Sequence, residues 1–158
     1  MKPLISKGIR LGGICAVLGI LAARPAEAQA LRVNGGSITL TMTTGVAGAT
    51  LVDVQNTTCT LRYRRQSRIS KITVSTSCPG QKFALRVLAT NVSDGVAAPE
   101  VTLQDGNPSI DLVTSIPTSG FRNGNCTLRY TVSATFEDGN STELGNDVHS
   151  VSYTLQAQ

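Results

Sequence analysis

The feature that most constrains this chain is a two-residue hydrophobic period. Cys126, Leu128, Tyr130, Val132, Ala134 and Phe136 alternate with Thr127, Arg129, Thr131, Ser133 and Thr135. That period puts one set of side chains on each face of an extended strand. It recurs from Ile38 to Met42, Cys59 to Tyr63, Ile72 to Thr76, Phe83 to Ala89 and Val151 to Ala157. Shorter candidates lie at Leu51 to Val54, Val101 to Leu103 and Ile110 to Val113. Turn chemistries separate them: Pro79-Gly80, Asp94-Gly95, Asp105-Gly106-Asn107-Pro108, Asn123-Gly124 and Asp138-Gly139-Asn140. Gly and Asn tolerate positive φ, and Pro presets φ for a turn. No helical period of useful length follows Ala30. About eight or nine short strands at this spacing predict an all-β protein, a single immunoglobulin-like or Greek-key β-sandwich. A closed barrel is the alternative.

The first 28 residues read differently. Lys2, Lys7 and Arg10 precede the apolar run Leu11 to Ala23, and Pro25 breaks it before Ala26-Glu27-Ala28. The run is shorter than the roughly 20 residues a membrane-spanning helix needs. A basic start, a short apolar run and a small-x-small site together predict a cleaved signal peptide over 1–28. One domain, 29–158, is expected to follow, exported to the periplasm, cell surface or medium. Cys15 is preceded by Ile14, where a lipoprotein signal wants a small residue.

Charge then loses its apparent meaning. The full chain has 14 cations and 10 acids, a formal +4. Cleavage removes Lys2, Lys7, Arg10, Arg24 and Glu27, leaving ten against nine. A nearly neutral domain is not an electrostatic nucleic-acid binder. Tryptophan is absent and aromatics are 4%, which disfavours a sugar-binding platform of flat rings.

Three cysteines remain: Cys59, Cys78 and Cys126. An exported chain predicts one disulfide and one leftover thiol. Two of the cysteines open the same pentapeptide, CTLRY, at 59–63 and 126–130. If Cys59 and Cys78 oppose each other in a hairpin, then Cys59, Leu61, Tyr63, Val74, Thr76 and Cys78 share one face. A one-residue slip would mix inward and outward sets. This favours a Cys59–Cys78 bridge, worth about 3 kcal/mol for a loop of about 20 residues. Bridges 59–126 and 78–126 stay open. Cys126 is otherwise a small buried hydrophobe. The repeat itself reads as two similar core-facing strands and not as a recognition motif.

The same hairpin would gather Arg62, Arg64, Arg65, Arg68 and Lys71 on its outer face and tip. They form the candidate contact surface for an anionic polymer, a lipid headgroup or a protein partner. The competing reading is a solvated basic hairpin that discourages edge pairing. The two Asp-Gly-Asn triplets offer oxygen atoms but lack the spacing of a calcium loop, and read as turns. His149 is the only histidine. No nucleophile elbow, zinc signature or phosphate loop accompanies it, and one histidine cannot build the usual multi-histidine metal site. No catalytic residues, metal or cofactor are expected, and the protein is read as not an enzyme. The terminal strand HSVSYTLQAQ is expected to complete the sandwich, with exchange between neighbours as the alternative.

The leader, TTGVAG (43–48), KITVS (71–75), RYTVSAT (129–135) and SVSYTLQA (150–157) resemble small uncharacterised secreted bacterial proteins with immunoglobulin-like sandwiches. More loosely the chain is similar to pilin-like and spore-coat-U-like domains, though it has no N-terminal donor strand with their usual early cysteine. The resemblance implies a structural or adhesive component of a bacterial surface or matrix, whose partners are a surface polymer or other subunits. A secreted or periplasmic module that captures a glycan or anionic ligand is the second expectation.

Overall fold

A computed structural model describes residues 31–41, 52–118, 123–134 and 146–158. The signal segment, TTGVAG and the Asp138–Asn140 turn lie outside the described residues. Nine strands are present among the described residues: β1 (Leu31–Asn34), β2 (Val52–Arg64), β3 (Ser70–Ser77), β4 (Ala84–Thr90), β5 (Val96–Ala97), β6 (Val101–Leu103), β7 (Ile110–Ile116), β8 (Asn123–Ala134) and β9 (Ser150–Ala157). They form two antiparallel sheets, ordered β1-β2-β8-β4-β6 and β5-β7-β3-β9. The fold is the expected β-sandwich. Among the described residues no helix is long and apolar enough to cross a membrane.

From β2 onward, each strand in sequence lies in the sheet opposite its predecessor. The two inner faces meet in one core. Leu61, Val87, Leu103 and Leu128 come from the first sheet, and Ile72, Val74, Leu112, Val113 and Ile116 from the second. Each such side chain, fully buried, contributes about 1.5–3 kcal/mol. The two-residue period thus does what it predicted: β8 buries Cys126, Leu128 and Tyr130, and β4 buries Leu85, Val87 and Ala89.

Three expectations need correction. Ile38 to Met42 was expected to be a strand, but 36–41 makes no ladder; Ile38 and Leu40 pack half-buried against the core. The strands expected at 51–54 and 59–63 are one, β2. Its register shifts between Asn56 and Cys59. Asn56 Oδ1 accepts from the Thr58 amide at 2.9 Å and the Thr58 hydroxyl at 2.7 Å, the local side-chain bonding that lets a bulge form inside a strand.

The third correction is the hairpin. β2 does not pair with β3; it lies between β1 and β8. Cys59 stands opposite Leu128, Thr60 opposite Thr127 and Leu61 opposite Cys126. The two copies of CTLRY are neighbouring antiparallel strands related by a local two-fold through the Thr60–Thr127 pair. The inward parity assigned to Cys59, Leu61, Tyr63, Val74, Thr76 and Cys78 is right. It arises across the core, because β2 and β3 look at each other from opposite sheets. Alternation alone cannot separate those two arrangements. One close approach fixes the β2–β8 end: a Cβ on Gly124 would lie 2.2 Å from Cε2 of the buried Tyr63 ring.

Candidate functional site

The basic residues do not gather on one hairpin. Arg62 and Arg64 are exposed on the outward side of β2. Arg65 turns back to an ion pair with Asp94, and both side chains are about 15% exposed. Arg68 is exposed in the connection to β3. Lys71 is on β3, in the other sheet, 2.8 Å from Asp111 on β7. Arg65 and Lys71 therefore have acidic partners within the fold, and Lys71 lies on the opposite face of the sandwich from Arg62 and Arg64.

The cysteines also fall differently from expectation. All three are buried free thiols, so the expected Cys59–Cys78 bridge is not formed; Cys59 lies on β2 in the first sheet and Cys78 follows β3 in the second. Cys59 and Cys126 lie diagonally on the inner face of one strand pair, each opposite a leucine. Diagonal partners are typically about 7–8 Å apart, beyond the Cα reach of a relaxed bridge. Burial pushes the Cys126 thiol up to about 11, so it is an inert core residue at neutral pH.

Cys78 is separate from both. It follows the last residue of β3 and begins the turn Cys78-Pro79-Gly80-Gln81, closed by Gln81 N–H donating to the Cys78 carbonyl at 3.0 Å. Pro79 presets the turn and Gly80 takes φ +76°, the sequence requirement of a type II turn. The Cys78 amide donates to Asp105 Oδ1 at 2.8 Å. Gln81 bonds the Phe83 and Leu103 carbonyls and the Asp105 amide. The turn after β3 and the turn after β6 are therefore tied together.

The segment entering β9 closes this end of the sandwich. Asp147 Oδ2 accepts from the Lys82 and Phe83 amides, both at 2.8 Å. His149 Nδ1 lies 3.1 Å from the Thr76 hydroxyl. One ligand atom each from Cys78, Asp147 and His149 lie within 4.8 Å of one another. Burial raises the Cys78 thiol above its ordinary value, and the Asp147 and Asp105 carboxylates raise it further. Burial lowers His149 while the same two acids oppose that shift. A protonated thiol beside a neutral imidazole is not an activated nucleophile. It is a set of one soft, one borderline and one hard donor within 4.8 Å of one another.

Sequence reading singled out His149 and Cys78 separately and missed Asp147. Some 70 positions separate the cysteine from the Asp-x-His pair, and no spacing rule joins them. The antiparallel pairing of β3 with β9, which sets Ser77 opposite Ser150, brings them together. A second polar network was also missed. On the outward face of the first sheet, Arg86 bonds Asp53, Ser133 and Glu100, and Ser133 donates to Asp53 at 2.5 Å. It ties β2, β4 and β8 to the residue before β6. No protein family, curated protein or solved structure matches this chain.

Proposed function

We propose that this protein is a non-enzymatic, exported structural or adhesive component of a bacterial cell surface or extracellular matrix. The observation that carries the reading is the free edge of the second sheet. β9 runs eight residues, Ser150–Ala157, in unbroken register with β3. Among the described residues no strand lies on its other side. It contains no charge and no proline, and its register shows no bulge. Edge strands ordinarily carry one of those guards against pairing. An unguarded edge of this length suits strand addition, in which main-chain hydrogen bonds give affinity and alternate side chains give specificity. The solvent-facing Ser150, Ser152, Thr154 and Gln156 are exposed and uncharged.

The alternative, capture of a glycan or anionic ligand by Arg62, Arg64, Arg65, Arg68 and Lys71, has less support. Arg65 and Lys71 already answer Asp94 and Asp111. Electron microscopy and sedimentation of the signal-cleaved protein test the leading reading. Concentration-dependent assembly that a Ser152→Lys/Thr154→Lys variant abolishes, with thermal stability unchanged, supports it. A monomer at every concentration, or assemblies indifferent to the two lysines, refutes it.

A further inference from the structure

We propose that Cys78, Asp147 and His149 form a binding site for one zinc ion at the end of the sandwich where β3 stops and β9 begins. The inference is independent of strand assembly. The three ligand atoms lie within 4.8 Å of one another. Donors on a tetrahedral zinc, at about 2.0–2.3 Å from the metal, sit roughly 3.3–3.8 Å apart, so a small inward closure of side chains completes the geometry.

The second layer is already in place. Asp147 is oriented by two backbone amides that engage only Oδ2, which leaves Oδ1 for a ligand. The Thr76 hydroxyl at 3.1 Å holds the His149 ring. Groups that orient a ligating imidazole or carboxylate in this way commonly decide metal affinity. The Cys78 amide is fixed by Asp105, which also brings a second carboxylate beside the thiol. Two acids beside a thiol are mutually repulsive once the thiol ionises, and a divalent cation relieves that repulsion.

The donor set selects the metal. One thiolate, one imidazole and one carboxylate match a borderline ion such as zinc. Magnesium and calcium want oxygen alone, and copper(I) prefers sulfur and imidazole. Cys78 is 2% exposed, while Asp147 and His149 are half-buried. Solvent therefore reaches the cluster through Asp147 and His149, and a water can take the fourth position. Binding releases the thiol proton to solvent and needs no oxidant. The mixed set also explains how a chain with one histidine holds a transition metal.

The test uses reduced, signal-cleaved protein titrated with Co²⁺ and then competed with Zn²⁺. The proposal expects one ion per chain, a sulfur-to-cobalt charge-transfer band, and loss of that band when zinc displaces cobalt. Cys78→Ser removes the band. His149→Gln and Asp147→Asn each weaken zinc binding by about tenfold or more. The Cys59→Ser/Cys126→Ser variant keeps band and affinity. Far-UV circular dichroism confirms that each variant is folded; if Cys78→Ser does not fold, the His149→Gln result decides. No band in the wild-type protein identifies a hydrogen-bonded cluster only and overturns the site. So does a band that survives Cys78→Ser, or unchanged affinity in folded His149→Gln.

Discussion

The two CTLRY strands share five residues and one inward parity, yet they finish in different surroundings. In the first, Tyr63 is 1% exposed and donates its hydroxyl to the Asp94 carbonyl at 2.5 Å. In the second, the Tyr130 hydroxyl meets that of Tyr153 across the core at 2.5 Å. Arg62 points to solvent, whereas Arg129 is half-buried and lies 3.6 Å from Glu100. Two residues before each cysteine the contrast is sharper. Thr57 is exposed on the Asn56 bulge, while Gly124 lies beneath the Tyr63 ring. Local sequence decides which face a side chain takes. The strand or loop beyond that face decides what the side chain does there.

The strongest way to break this comparison is at its shared centre. Leu61 and Leu128 are both fully buried, so Leu61→Ala and Leu128→Ala should each cost about 2–5 kcal/mol, read by urea unfolding. A large inequality would mean that the two strands do not share one core. The next test separates them. Gly124→Ala forces a methyl into the Tyr63 ring and should cost about 1–3 kcal/mol. Thr57→Ala, at the corresponding place in the first copy, should stay within about 0.5 kcal/mol of wild type. Comparable losses at both positions would contradict the asymmetry.

Smaller effects distinguish the tyrosines. Tyr63→Phe leaves the Asp94 carbonyl without this donor and should cost about 1 kcal/mol. The Tyr130→Phe/Tyr153→Phe double variant removes both ends of the other contact. It should cost less than the sum of its single variants, because neither hydroxyl is left buried alone. Additive losses would show that the two hydroxyls are not partners. The arginines give the smallest signal: Arg129→Gln should cost less than about 1 kcal/mol and Arg62→Gln close to nothing.

Much of the sandwich was legible from alternation. The buried positions of β4 and β8 and the half-buried Val151, Tyr153 and Leu155 of β9 follow from it, as do the turns at Pro79-Gly80 and Gly106. What alternation cannot carry is pairing. Cys59, Leu61 and Tyr63 present the same inward face whether Val74 and Thr76 are beside them or across the core from them. The hairpin and its disulfide were therefore an unforced choice, and the five-residue basic surface rested on that choice. β1 and β5 escaped notice because four and two residues are too short for a period to show. The Cys78, Asp147 and His149 cluster escaped because it is assembled at one end of a pair of neighbouring strands, β3 and β9, that are far apart in sequence. The long-range pairing of β3 with β9 joins them.

That strand order is the central claim, since it makes the repeated strands neighbours and leaves Cys78 beside His149. Nuclear Overhauser contacts along the backbone test it most directly. Cross-strand contacts should join the Thr60 region to the Thr127 region in the register that sets Cys59 opposite Leu128 and Leu61 opposite Cys126. Contacts that instead pair Leu61 with Thr76 and Tyr63 with Val74 would restore the β2–β3 hairpin and contradict the account.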